Sequence, residues 1–193
     1  MSDENEVLNN IINKKVALRS FIKKELLQSY DSKFLGYKIS EQLKLVIPKG
    51  TTVAAFLALQ DEPLLDVFFT NSSYKFCLPR IENKDLQFYF INGGQKLIKN
   101  SLGILEPDAA HAERIGTEKI DVMIIPGLGY DRKFQRLGRG KGFYDRVLKN
   151  YKGLKIGITS AAQVLSDDIP CESHDVPMDL IVCEKFILKR FDA

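Results

Sequence analysis

The chain has 193 residues, 45% hydrophobic and 27% charged, a composition typical of soluble globular proteins and a length that suits one sizeable core. Its 28 basic and 25 acidic residues leave a net charge of +3, too small an excess to mark a nucleic-acid footprint. No apolar run reaches the roughly 18 residues of a membrane span, and the three cysteines, Cys77, Cys171 and Cys183, lack CxxC or metal spacing, which points to free thiols in a reducing compartment.

In chain order, the opening Met-Ser-Asp-Glu-Asn-Glu is acidic and unlike a signal or transit peptide, so a cytoplasmic location is expected. Residues 4–28 read as a long amphipathic helix, and residues 31–47 as a second that stops before Pro48-Lys49-Gly50. Thr51 to Leu59 is apolar on both faces and reads as a buried strand. A short helix is expected around Pro63–Phe69, then strands at Tyr74–Leu78, Leu86–Ile91 and Ile120–Ile125. Phe143–Tyr151 reads as helix, and Lys155–Thr159 and Leu180–Cys183 as strands. Strands alternating with helices imply one α/β domain over residues 1–193, built on a largely parallel sheet.

The first helix carries a lysine in an unusual place. At about 100° per residue, Lys15 falls in the middle of the stripe formed by Leu8, Ile11, Ile12, Leu18, Ile22 and Leu26. Arg19 follows one turn on. A long lysine stem can cross apolar surface and free its ammonium at the edge. Alternatively, two inward cations face a bound polyanion, because burying like charges without one is costly.

The densest signal is Pro126-Gly-Leu-Gly-Tyr-Asp131 followed by Arg136-Leu-Gly-Arg-Gly-Lys-Gly-Phe-Tyr-Asp145. Gly138, Gly140 and Gly142 alternate with Arg139 and Lys141 just before a helix. Such glycines let backbone N–H groups approach a ligand, and helix N-termini favour phosphate. Cations at that end oppose the helix dipole unless an anion sits there. A solvated mobile loop is the plainer alternative. The spacing fits neither the Walker A pattern nor the dinucleotide fingerprint. Asp145 is either a dipole-compensating carboxylate or a Mg²⁺ ligand. His174 and Asp175 read better as turn caps.

Together these residues resemble the 5-formyltetrahydrofolate cyclo-ligase family. The resemblance runs in order through Lys15-Val-Ala-Leu-Arg19, Glu62, Leu78-Pro79-Arg80, Gly103-Ile-Leu-Glu-Pro107, the two glycine-rich segments, His174-Asp175 and Asp179. Phe143 and Pro63 depart from it, where the family usually has Tyr and often has Val or Ile. The resemblance implies a three-layer α/β fold and the ATP-dependent conversion of 5-formyltetrahydrofolate to 5,10-methenyltetrahydrofolate, ADP and phosphate. It implies that Lys15, Arg19 and the loop Arg136, Leu137, Gly138, Arg139, Gly140, Lys141, Gly142, Phe143 and Tyr144 bind ATP. Arg139, Lys141 and Tyr144 are the expected catalytic groups, Leu57, Glu62 and Tyr144 the folate contacts, and Asp145 and Asp179 the Mg²⁺ ligands. A monomer acting on ATP and 5-formyltetrahydrofolate, with no nucleic-acid or membrane partner, is the expectation. A non-catalytic binder would lack folate-dependent ATP turnover, and a sugar-phosphate enzyme would hardly need a second basic pair at Lys15 and Arg19.

Overall fold

The computed structural model describes residues 2–26, 31–92, 96–101 and 103–191. Helix α1 (Ser2–Phe21) ends in a π-helical turn (Ile22–Leu26), and α2 (Ser32–Val46) follows. Strand β1 (Thr52–Ala54), the short helix α3 (Asp66–Phe69), β2 (Lys75–Glu82) and β3 (Asp85–Phe90) come next. Three short strands, β4 (Leu97–Lys99), β5 (Leu105–Pro107) and β6 (Arg114–Ile115), precede β7 (Val122–Pro126). Then come β8 (Gly129–Asp131), β9 (Arg136–Leu137), α4 (Phe143–Leu148), β10 (Leu154–Ile158), β11 (Val164–Leu165), β12 (Leu180–Val182) and β13 (Ile187–Lys189).

The main sheet has the order β13-β12-β10-β7-β1-β2-β3-β6. Its centre, β12 to β2, is parallel, and the outer pairs are antiparallel. Alternation along the central strands explains the layering. Val53, Val122, Ile124, Leu180 and Val182 join Ile39 and Leu43 of α2 and Phe68 of α3 in one apolar cluster. Ala54, Met123, Ile125 and Ile181 join Leu148 of α4 and Tyr151 in another. Successive side chains point to opposite faces, so a strand apolar at every position must be covered on both. The result is the expected mixed, largely parallel sheet between helices.

The differences from expectation have local causes. The first strand stops at Ala54, because Leu59 and Glu62 close a turn on each other: the Glu62 N–H donates to the Leu59 carbonyl, and the Leu59 N–H to the Glu62 carboxylate, each at 3.0 Å. The freed apolar residues Phe56, Leu57 and Leu59 line a cleft instead. The first helix docks only through its second half. Ile22 is buried with Leu128, Leu137 and Ile169, and Leu18 packs against them, whereas Leu8 and Ile12 are exposed. Residues 27 and 28 of the expected helix lie outside the described residues. The strands that went unforeseen are mostly two or three residues long, too short to display a periodicity.

Candidate active site

The glycine-rich segment is carried by a small three-stranded sheet, β11-β8-β9, beyond the carboxyl end of β7. Two residues of the Pro126–Asp131 stretch build it. Tyr130 is fully buried, and its hydroxyl donates to the Ile125 carbonyl at 2.7 Å. Asp131, also buried, accepts from the N–H groups of Lys133 and Gln135 through Oδ1, and from that of Ile169 through Oδ2. Its carboxylate therefore shapes the β8–β9 turn and ties it to a distant loop. Neither residue was singled out individually from the sequence.

The loop after β9 carries the three alternating glycines. Gly140 has φ +90° and Gly142 φ +67°, conformations that side-chain-bearing residues rarely adopt. Gly138 is different: its backbone is ordinary, but a Cβ there would stand 2.7 Å from the Arg136 guanidinium. Arg19 lies beneath the loop, donating from Nε to the Gly138 carbonyl at 2.8 Å. Gly142 leads into α4, which has only six residues.

Three cations of the loop have three different fates. The Arg136 side chain is 7% exposed, donates to Asp145 Oδ1 at 2.6 Å and covers the Tyr144 ring at 5.5 Å. It holds both residues in place and has little left for a ligand. Arg139 donates from Nε to Glu62 at 3.0 Å and grips Asp61 through both terminal nitrogens. Lys141 is exposed, and its ammonium has no hydrogen-bond or ion-pair partner among the described residues.

These groups surround a cleft of about 300 Å³. One wall is apolar, from Leu57, Leu59, Leu78, Ile81, Leu86 and Ile104; the other is the loop from Gly138 to Asp145. Glu62 is a buried carboxylate in this cleft, 5% exposed. Burial pushes its carboxyl above the ordinary value, while the Leu59 N–H and Arg139 pull the other way. Burial also raises the Tyr144 phenol, which stays protonated at neutral pH. Such a cavity can hold a flat apolar body against one wall and an anion against the other.

Two expected site residues lie elsewhere or face another partner. Lys15 is buried, as the helical wheel implied, but its ammonium meets Glu172 at 2.9 Å and Asp175 at 2.5 Å. Burial pulls its pKa down, yet the hydrogen bonds to Asp175 and Glu172 outweigh burial and leave it raised. Asp175 also accepts from the Glu172 N–H at 2.8 Å, the turn-capping role read from the sequence. Glu172 was not foreseen. Asp179 precedes β12 and pairs with Lys155 Nζ at 2.8 Å and Arg190 at 3.3 Å, while its Oδ2 also accepts from the Lys155 N–H.

This corrects the expectation that Asp145 and Asp179 share one ion. Asp145 is held near Pro126, at the carboxyl end of β7, because Arg136 bonds both. Asp179 is at the level of Lys155, which pairs with Met123 near the amino end. Three residues of strand separate the two levels, roughly 10 Å at the usual rise, whereas Mg²⁺ ligands sit about 2.1 Å from the ion. Asp145 alone faces the cleft, and its Oδ2 accepts no hydrogen bond among the described residues. No group of three or more potential metal ligands comes together among those residues. A Mg²⁺ ion held here would use Asp145 plus phosphate and water oxygens, which is how that ion commonly binds.

Residues 11–184 match the family model described as the 5-formyltetrahydrofolate cyclo-ligase family. The chain is 31% identical over 140 residues to the 5-formyltetrahydrofolate cyclo-ligase of Escherichia coli, spanning 68% of this chain and 76% of that one. It is 36% identical over 133 residues to the mitochondrial 5-formyltetrahydrofolate cyclo-ligase of Arabidopsis thaliana, covering 58% of this chain but only 48% of the longer plant protein. In structure it resembles the 5,10-methenyltetrahydrofolate synthetase of Aquifex aeolicus, with a TM-score of 0.81 at 29% identity over 93% of this chain and 94% of that one.

Proposed function

The chain belongs to the 5-formyltetrahydrofolate cyclo-ligase family, and we propose that the cleft beneath the glycine-rich loop is where it closes the folate ring at the expense of ATP. The reaction converts 5-formyltetrahydrofolate and ATP to 5,10-methenyltetrahydrofolate, ADP and phosphate. The observation that carries the assignment to this cleft is the pairing of an apolar wall with Lys141, a loop cation without a partner among the described residues.

A formamide oxygen leaves poorly. Transfer of the γ-phosphoryl group to it makes a phosphate leaving group, N10 then adds to the activated carbon, and phosphate departs with that oxygen. The protein positions these groups and neutralises charge; it need form no covalent bond. Lys141 and Arg139 would donate to the phosphates, as would Arg19 and the backbone of Gly138, Gly140 and Gly142. Lys15, with one N–H beyond its two carboxylate bonds, would add charge at the far side of Arg19. Leu57 and the apolar wall would hold the folate ring, with Glu62 accepting hydrogen bonds from it. Tyr144 would donate its phenolic proton in a hydrogen bond to the reacting oxygen. Mg²⁺, bound by Asp145 and the phosphates, would supply charge neutralisation on the transferring group.

Among the described residues no helix is long and apolar enough to cross a membrane. The free cysteines fit a reducing compartment such as the cytoplasm, and the unbroken family match supports one catalytic domain. The test mixes protein, ATP, Mg²⁺ and 5-formyltetrahydrofolate and follows the absorbance of the methenyl product. Product that requires nucleotide and divalent metal is the expected result. Binding of both substrates without turnover would reduce the protein to a binder; no product and no binding would remove the assignment.

A further inference from the structure

The tightest polar knot in the cleft is made by the protein with itself. Arg139, from the glycine-rich loop, reaches Asp61 and Glu62, which follow β1. Its Nε donates to Glu62 Oε1 at 3.0 Å, one terminal nitrogen donates to Asp61 Oδ2 at 3.1 Å, and the other to Asp61 Oδ1 at 2.5 Å. That second nitrogen also lies 3.0 Å from Glu62 Oε1. A guanidinium has five N–H groups, and three of them are hydrogen-bonded here, one from each nitrogen. The two carboxylates differ in setting: the Asp61 side chain is 28% exposed, the Glu62 side chain 6%.

As it stands, the knot blocks the roles assigned to its members. Arg139 cannot embrace a phosphate while its fork is on Asp61. Glu62 cannot offer Oε1 to a folate while Arg139 occupies it. Removing Arg139 alone leaves two adjacent carboxylates, one buried, without their cation, and an unpaired buried charge is costly. A ligand with N–H donors beside Glu62 would relieve that cost.

We propose that Asp61 is a positioning residue that latches Arg139 onto Glu62 in the unliganded protein, so that nucleotide phosphate competes with Asp61 for the guanidinium and its transfer opens Glu62 to the folate. The inference rests on the reading of the cleft given above. Its consequence is coupling: each substrate tightens the other, because each completes an exchange the other begins, and the coupling is reciprocal. Nucleotide bound alone must overcome the Asp61 clasp and leave Glu62 unpaired. Nucleotide bound with folate meets only the first cost.

The experiment measures, by titration calorimetry, the affinity of a non-hydrolysable ATP analogue with Mg²⁺, with and without saturating 5-formyltetrahydrofolate, for the natural protein and for Asp61→Asn. In the natural protein, folate should tighten the analogue. In Asp61→Asn the analogue alone should bind about tenfold tighter, the scale of one charge-assisted bond no longer competing, and folate should still tighten it, because Glu62 still loses Arg139 to the nucleotide. A purely structural Asp61 would give weaker or unchanged analogue binding, and that result, or a natural protein in which folate leaves the analogue's affinity unchanged, overturns the proposal. Should the variant fail to fold, ¹⁵N NMR of the natural protein decides: the Arg139 Nε–H resonance should shift when the analogue is added, and a resonance that stays in place overturns the latch. If the natural protein binds neither substrate, it is the reading of the cleft that fails, and the latch with it.

Discussion

Two charged regions of this molecule contrast. In the cleft at the carboxyl end of β7, Lys141 has no partner and one Asp145 oxygen accepts no hydrogen bond among the described residues, and Arg139 is shared between Asp61 and Glu62. Away from it, Lys15 is matched by Glu172 and Asp175, and Asp179 by Lys155 and Arg190. Both regions include charged groups in the interior. The difference lies in whether the protein has already consumed the charge. A matched cluster joins chain segments, whereas an incomplete one offers binding to something else.

The largest effect should come from Asp145→Asn. It keeps size and the bond to Arg136 in weaker form, so the fold should survive. If Asp145 is the protein's carboxylate on the nucleotide-bound metal, kcat/KM should fall by about a hundredfold or more, the scale of losing one preorganised electrostatic group. Raising Mg²⁺ should recover part of it. Asp179→Asn under the same titration should show no metal response, and a matching response would erase the contrast between the regions.

Next is Lys141→Met. The residue is exposed and has no partner among the described residues, so thermal stability should not change. ATP affinity should drop about tenfold to a hundredfold, the value of a charge-assisted hydrogen bond, with little gain from extra Mg²⁺. Lys15→Met should invert that balance. It strands Glu172 and Asp175, whose side chains are 18% and 13% exposed, and should destabilise the fold by about 3 kcal/mol. Its effect on ATP affinity should be smaller than that of Lys141→Met. A variant of full stability but poor ATP affinity would make Lys15 a ligand group first and a tether second.

Asp179→Asn should cost about 2 kcal/mol, below the roughly 3–5 kcal/mol of a fully buried pair, because Arg190 is partly exposed. That corresponds to roughly 4–8 °C in Tm for a chain of this size. Activity at saturating substrates should stay near the natural level. The smallest effect concerns pH. The folded-state pKa of Glu62 is raised above its ordinary 4.5, chiefly by burial. The folded protein therefore binds its proton more tightly than the unfolded chain does. That contribution is fully present below about pH 4.5 and is lost as pH rises through the folded value. Glu62→Gln should flatten this slope in urea midpoints measured across the acid range; an unchanged slope would assign it to other groups.

Some of this was legible in the chain and some was not, for identifiable reasons. α2 was placed to within one residue at each end, its stop read from the adjacent Pro48-Lys49-Gly50 turn; at its start the structure adds a cap, with the Asp31 carboxylate accepting from the Phe34 N–H. Lys15 was placed in the apolar stripe because helical periodicity is local, which left open whether its ammonium snorkels to the edge or stays inside; the structure buries it. Its partners were not legible, because Glu172 and Asp175 lie 157 and 160 residues away. β1 was drawn too long because an apolar run looks the same whether it fills a sheet or walls a cleft. Asp61, beside the Glu62 that was singled out, carried no signal of its own until Arg139, 78 residues on, was folded against it.

By itself, then, the sequence determined the α/β class, the place of Lys15 in an apolar stripe and the loop of Gly138, Gly140 and Gly142, and its ordered motifs carried the family resemblance that the comparisons bore out. These rest on residue type and short spacing, which the backbone converts directly into periodicity and permitted φ. Tertiary structure alone decided which charge meets which: Arg136 with Asp145, Arg139 with Asp61 and Glu62, Asp179 with Lys155 and not with Asp145. Electrostatic pairing depends on a few ångströms of separation. For residues tens of positions apart, that separation is set by strand register and packing.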